Sequence, residues 1–166
     1  MGLDTFGPAI WQPFAAPALD ARNSTGARVS LEQFKGRNVI LVFYLGTGCA
    51  HCVSQIKELS ERSDRWNGLE ADVLAVSGDS VESNAASQGS LKVQLLADDQ
   101  FRNARLFKSY DDFEEMPIHS TLLIDKTGQL VARAWQATDA MFQSMPEGGY
   151  LRFKGRIENY KGNMQF

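Results

Sequence analysis

Asn38-Val39-Ile40-Leu41-Val42-Phe43-Tyr44-Leu45-Gly46-Thr47-Gly48-Cys49-Ala50-His51-Cys52 is the stretch on which the fold turns. Its first seven residues are a nearly unbroken β-branched and aromatic run, the pattern of a strand buried on both faces. After Gly46-Thr47-Gly48 the period changes. Cys52, Ile56, Leu59 and Trp66 fall near one helical stripe, and Lys57, Glu58, Glu61 and Arg62 supply its wet side. The two cysteines are therefore expected where a central strand ends and a helix begins.

Outward from this junction, Asp72–Ser77 reads as a second buried strand and Val93–Ala97 as a short third. The polar stretch between them, Gly78 to Ser90, has no clear pattern. Asp98-Asp99 can cap a helix carrying Phe101, Ala104 and Phe107. Tyr110 to Met116 is an acidic loop closed by Pro117. Thr121–Ile124 and Leu130–Trp135 flank Asp125-Lys126-Thr127-Gly128 as a hairpin. Toward the N-terminus, Ser30-Leu31-Glu32-Gln33 has the capping-box pattern. Ala18–Ala21 and Arg28–Val29 read as weak hairpin strands around Asn23-Ser24-Thr25-Gly26, and Pro8, Pro13 and Pro17 mark an extended arm. Strands alternating with helices and closing on a hairpin imply a layered α/β fold. We expect one domain over 1–136 and a segment over 137–166 packed on it, with Tyr150 to Ile157 alternating like a strand.

The 166 residues carry 17 Lys+Arg against 20 Asp+Glu, with 43% hydrophobic and 22% charged residues. Those are globular values, and the mild acidity gives no reason to expect nucleic acid or an anionic membrane as partner. The longest apolar run is far shorter than the roughly 20 residues a membrane-crossing helix needs, and no signal-peptide pattern opens the chain. The expectation is a soluble, cytoplasmic protein.

Only two cysteines are present, both in Cys49-Ala50-His51-Cys52. A disulfide closing so small a ring stabilises little, which points to chemistry instead of a staple. A thiol is a nucleophile only as thiolate, and a helix N-terminus favours that anion. Cys49 would sit at that end; Cys52 would lie one turn inside, placed to attack a mixed disulfide on Cys49. His51 would bring a cation beside both sulfurs. Zinc needs four ligands, and beyond the cysteines only His51 and His119 remain, so neither metal nor cofactor is expected. Asp111, Asp112, Glu114 and Glu115 lack calcium-loop spacing and read as a solvated acidic loop. Arg152, Lys154 and Arg156 alternate with Leu151, Phe153 and Ile157 as the wet face of a strand. Trp11, Trp66 and Trp135 read as core or rim aromatics.

Over about residues 11 to 135 the chain resembles the peroxiredoxin-like AhpC/TSA (redoxin) branch of the thioredoxin superfamily. The resemblance is carried by Pro13-Phe14-Ala15-Ala16-Pro17-Ala18-Leu19, Val29-Ser30-Leu31 with Phe34-Lys35-Gly36, Val39 to Tyr44, the C-x-x-C helix, and Thr121 to Gly128. It implies a thioredoxin-like fold: a central mixed sheet flanked by helices, with an N-terminal hairpin extension. Set against the family's Phe-Tyr-Pro pattern, Cys52 takes the peroxidatic position. Leu45 then replaces the proline, Cys49 the peroxide-holding hydroxyl, and His119 the polarising arginine.

A thioredoxin-type alignment makes Cys49 the attacking residue and Cys52 the resolving one. It makes Pro117 the candidate for the proline held cis opposite the cysteines, with Thr47 and His119 in support. The leading expectation is a thiol-disulfide oxidoreductase acting on a protein or small-molecule thiol/disulfide partner. A thiol peroxidase using Cys52, with hydroperoxide as substrate, is the alternative. A redox-inert interaction module with the same fold is the third.

Overall fold

The computed structural model describes residues 13–135, together with the backbone of Glu158–Tyr160 and Asn163–Gln165. The chain falls into two compact units, 1–136 and 137–166. In the second, the described strands Glu158–Tyr160 and Asn163–Gln165 pair antiparallel. The readings for Pro8, Trp11, the Trp135 side chain and the basic strand through Arg152, Lys154 and Arg156 lie outside the described residues.

The first unit is built on β4 (Asn38–Phe43), β5 (Ala71–Ser77) and β6 (Gln94–Ala97), which run parallel to one another. β9 (Ser120–Ile124) lies antiparallel on the other side of β4, followed by β10 (Gln129–Trp135) and β1 (Phe14–Ala15). β2 (Ala21–Asn23) and β3 (Arg28–Val29) complete an eight-stranded mixed sheet beyond β6. The expected N-terminal hairpin thus exists, with its first arm at Ala21–Asn23 instead of Ala18–Ala21. It extends the main sheet at its edge, because Arg22 and Asn23 pair with Ala97 and Leu96.

Alternation along β4 and β5 separates two cores. Leu41, Phe43, Leu74 and Val76 pack with Phe107, Leu122, Ile124 and Leu130 on one face. Val42, Tyr44, Val73 and Ala75 pack with Cys52, Ile56 and Leu59 on the other. The second face is covered by α1 (Ala50–Glu61). The stripe expected to run on to Trp66 breaks after Glu61, and Trp66 lies on a separate short helix, α2 (Ser63–Gly68). There its indole N–H donates to the Leu59 carbonyl at 3.0 Å, occupying an acceptor freed at the helix end.

The patternless stretch after β5 forms α3 (Val81–Gln88). Asn84 is its only fully buried residue, so no apolar stripe betrays it. Polar bonds hold it instead. Ser80 caps it by accepting from Ser83 N, and the Gln88 amide donates to the carbonyls of Leu91 and Val93 and accepts from Leu95 N. α4 (Arg102–Leu106) follows, with the Asp98 carboxylate accepting from Asn103 N at 3.1 Å and Ala104 N at 2.9 Å. The acidic loop is a small hairpin, β7 (Tyr110–Asp111) and β8 (Met116–Pro117). Asp111 accepts from Phe113 N and Glu114 N across its turn, and Asp112 pairs with Arg105.

Candidate active site

β4 ends at Phe43, and the chain turns through Gly46-Thr47-Gly48 into α1. Cys49 is the residue that caps α1, and its sulfur accepts from Cys52 N at 3.3 Å. Unpaired N–H groups at a helix start favour negative charge, so this position suits a thiolate. Cys49 and Cys52 are joined as a disulfide with their Cα atoms 5.3 Å apart. Cys49 is half-buried, whereas Cys52 is 1% exposed and packs in the α1-side core.

The loop before Cys49 is held from below by Asp79, which follows β5. β4 and β5 are parallel with Phe43 opposite Val76, so their C-terminal ends lie side by side. The Asp79 carboxylate accepts from Thr47 N at 2.7 Å and from the Ser77 hydroxyl at 2.9 Å. It also lies against Gly46, where φ is +118° and a Cβ would fall 3.1 Å from Asp79 Oδ1. Gly46→Ala should therefore strain the loop by about 1–3 kcal/mol. It should lower the melting temperature and slow thiol reactivity of the reduced protein together, which thermal melting and thiol titration can measure. Thr47 serves the same loop: its hydroxyl lies 3.5 Å from Ser83 Oγ on α3.

The opposite wall comes from the segment entering β9. Ile118 N–H donates to the Ser109 carbonyl, Tyr110 pairs with Pro117, and Ser120 pairs with Phe43. His119 is thereby carried to the end of β4, with Nδ1 3.9 Å from Cys52 Sγ. Pro117 is buried two residues earlier, and its preceding bond is trans. The cis geometry considered for it is not adopted; the β7–β8 ladder already sets the approach of this segment. His51, exposed on the first turn of α1, faces the His119 ring edge-on with centroids 6.2 Å apart. The cluster thus brings together Cys49, Cys52, His51 and His119.

Gln55, three residues beyond Cys52 on α1, accepts a hydrogen bond at its Oε1 from His119 Nε2. Neither Gln55 nor Asp79 was picked out in the sequence reading. The first could have been found from helical spacing, since i and i+3 share a face. The second could have been found from its place just past a strand parallel to β4.

Burial and the nearby His51 hold the His119 imidazole below its ordinary value of 6.5. The unfolded chain then binds a proton that the folded chain refuses as pH falls through 6.5. The resulting stability is present in full above that pH and is lost on acidification. The oxidised protein should lose melting temperature between pH 7.5 and pH 5 more steeply than His119→Asn. Parallel slopes for the two proteins would show that His119 does not set this dependence.

Residues 14–133 match the model of the AhpC/TSA family. The chain belongs to the AhpC/TSA family. Peroxiredoxin Bcp of Bacillus subtilis is 31% identical over 129 residues, which span 73% of this chain and 82% of that protein. The thiol-disulfide oxidoreductase ResA of Bacillus thuringiensis is 25% identical over 119 residues, 70% of this chain and 65% of that one. The reduced 2-Cys peroxiredoxin of Plasmodium vivax superposes with a TM-score of 0.67 at 22% identity, covering 78% of this chain and 90% of that one. The last likeness shows the fold: a mixed sheet flanked by helices, as in the thioredoxin-fold proteins. As an AhpC/TSA member with a Cys-x-x-Cys pair joined at a helix start, the chain is a thiol-based oxidoreductase of the peroxiredoxin-like class. Among the described residues, no helix is long and apolar enough to cross a membrane.

Proposed function

We propose that the protein catalyses thiol–disulfide exchange, with Cys49 attacking and Cys52 resolving. The observation that carries this reading is the unequal burial of two bonded cysteines at one helix start: Cys49 is only partly buried, whereas Cys52 is 1% exposed. A disulfide substrate, protein or small molecule, can be met by Cys49 and not by Cys52. The backbone donor at Cys52 N and the helix dipole stabilise the Cys49 thiolate as attacking and as leaving group. His51 on the same turn adds positive charge when protonated.

A peroxidase reading is favoured by a different observation. The relatives include peroxiredoxins, and Cys52 has an imidazole nitrogen 3.9 Å from its sulfur. Against it, a peroxidase needs a hydroxyl and a fixed cation around the peroxide oxygens. Cys49 and a histidine held below its usual pKa stand in those places. Maleimide trapping followed by mass measurement should show one reversible intramolecular disulfide separating oxidised from reduced protein, formed on mixing with a disulfide. Native thiols that react only after unfolding sink this reading. Rapid oxidation by stoichiometric hydroperoxide with no reaction toward disulfides favours the peroxidase instead.

A further inference from the structure

The contact between Gln55, His119 and Cys52 determines where a proton can sit. A neutral imidazole carries one N–H and one lone pair. His119 Nε2 faces an amide oxygen, which can only accept, so the N–H is on Nε2. Nδ1 is then the lone-pair nitrogen, and it is the one 3.9 Å from Cys52 Sγ. Among the described residues, the titratable groups that face the ring are Cys52 and His51, both from α1, and the ring itself stands on the residue just before β9. Cys52 itself is buried among Tyr44, Ile56 and Val42, so water has little access to its proton.

We propose that Gln55 is a positioning residue that locks His119 in the Nε2–H tautomer, and that His119 so held removes the Cys52 thiol proton when the mixed disulfide resolves. This rests on the exchange reading above. In the first step the Cys49 thiolate attacks a substrate disulfide, forming a Cys49–substrate S–S bond and releasing one substrate thiolate. In the second, the Cys52 proton passes to His119 Nδ1 as the Cys52 sulfur attacks Cys49 Sγ. The Cys49–Cys52 bond forms, the Cys49–substrate bond breaks, and the second substrate thiolate leaves. His119 then gives its proton to that thiolate, directly or through water, and returns to neutral. Overall the enzyme gives the substrate disulfide two electrons and the one Cys52 proton, and the thiolate released in the first step leaves as the anion or takes its proton from water. Burial and His51 keep the imidazole unprotonated near pH 7, in the state that can accept.

Stopped-flow mixing of reduced full-length protein with 5,5′-dithiobis(2-nitrobenzoate) separates the steps, because each releases one coloured thiolate. The first phase reports Cys49 attack and the second reports Cys52 resolution. General-base assistance contributes about 10²–10⁴-fold, so Gln55→Leu should slow the second phase at pH 7 by about tenfold or more. His119→Asn should slow it further, and the first phase should stay within about twofold of the parent in both. In both variants the second phase should accelerate with pH toward the ordinary thiol range near 8.5, whereas the parent is flatter above about pH 6.5. Gln55→Glu keeps an acceptor on Nε2 and should restore a fast second phase, with its acid limb moved to higher pH as the carboxylate favours the imidazolium.

A second phase in Gln55→Leu that matches the parent from pH 5 to 9 overturns the proposal. So does a Gln55→Glu second phase as slow as that of Gln55→Leu. Loss of the first phase in the parent instead overturns the exchange reading on which the proposal stands.

Discussion

Cys49→Ser should reduce a disulfide substrate no faster than the dithiol reductant does unaided, whereas Cys52→Ser should react once and then stall. A serine hydroxyl at Cys49 stays protonated at neutral pH and cannot take part in thiol exchange, so no covalent intermediate forms. In Cys52→Ser the attacking sulfur is intact, capped at the helix start as in the parent, but no resolving thiol follows. The protein should accumulate as a mixed disulfide at Cys49, recovered intact by mass measurement and released by excess dithiol. The opposite division would follow from peroxidase chemistry: peroxide consumption should then depend on Cys52 and survive loss of Cys49. Accumulation of a sulfenic acid on Cys52 in Cys49→Ser, with no mixed disulfide in Cys52→Ser, would transfer the attacking role to Cys52.

The largest loss of stability should come from Leu122→Ala. Leu122 is 0% exposed and lies opposite Leu41 on β4 and Arg133 on β10. Removing three methylene-sized groups there leaves a cavity in close-packed surroundings, costing about 2–5 kcal/mol and lowering the melting temperature by on the order of 10 °C. Its neighbour Leu123 is 38% exposed on the same strand, and Leu123→Ala should cost about 1 kcal/mol or less. Equal losses in the two variants would show that β9 is not anchored by its inward face. Because β9 fixes Ser120 against Phe43, and so His119 against Cys52, Leu122→Ala should also disturb the active site.

How far the sequence could be read depends on which forces hold each element. β4, β5 and the first turns of α1 bury apolar side chains on a regular period, and that period is written in the chain. The strand–Cys-x-x-Cys–helix junction was legible for this reason. Ser30 and Asp98 were legible as caps because capping needs particular side chains at particular offsets; the Gln33 side chain indeed accepts from Ser30 N. α3 was not legible, since it is fastened by Ser80 and Gln88 through polar bonds that leave no hydrophobic period. The break between α1 and α2 was hidden as well, because Trp66 keeps the stripe's spacing while its indole substitutes for a backbone donor. At the site, Cys49, His51 and Cys52 are local in sequence. His119 was found only through family resemblance; helical spacing and the position after β5 mark Gln55 and Asp79, but their partners lie 64 and 32 residues away, and no local pattern names those.

The placement of both sulfurs within the first turn of α1 bears on how a partner distinguishes the two forms of this protein. The bond joins two residues of a single turn and ties α1 to no other element, so opening it leaves the pairing of the sheet strands unlinked to the redox state. Discrimination then resides at the more accessible Cys49, either by covalent capture or by contacts within a few ångströms of it. The departure of a partner held at Cys49 is then timed by how quickly the buried Cys52 sulfur cuts the link.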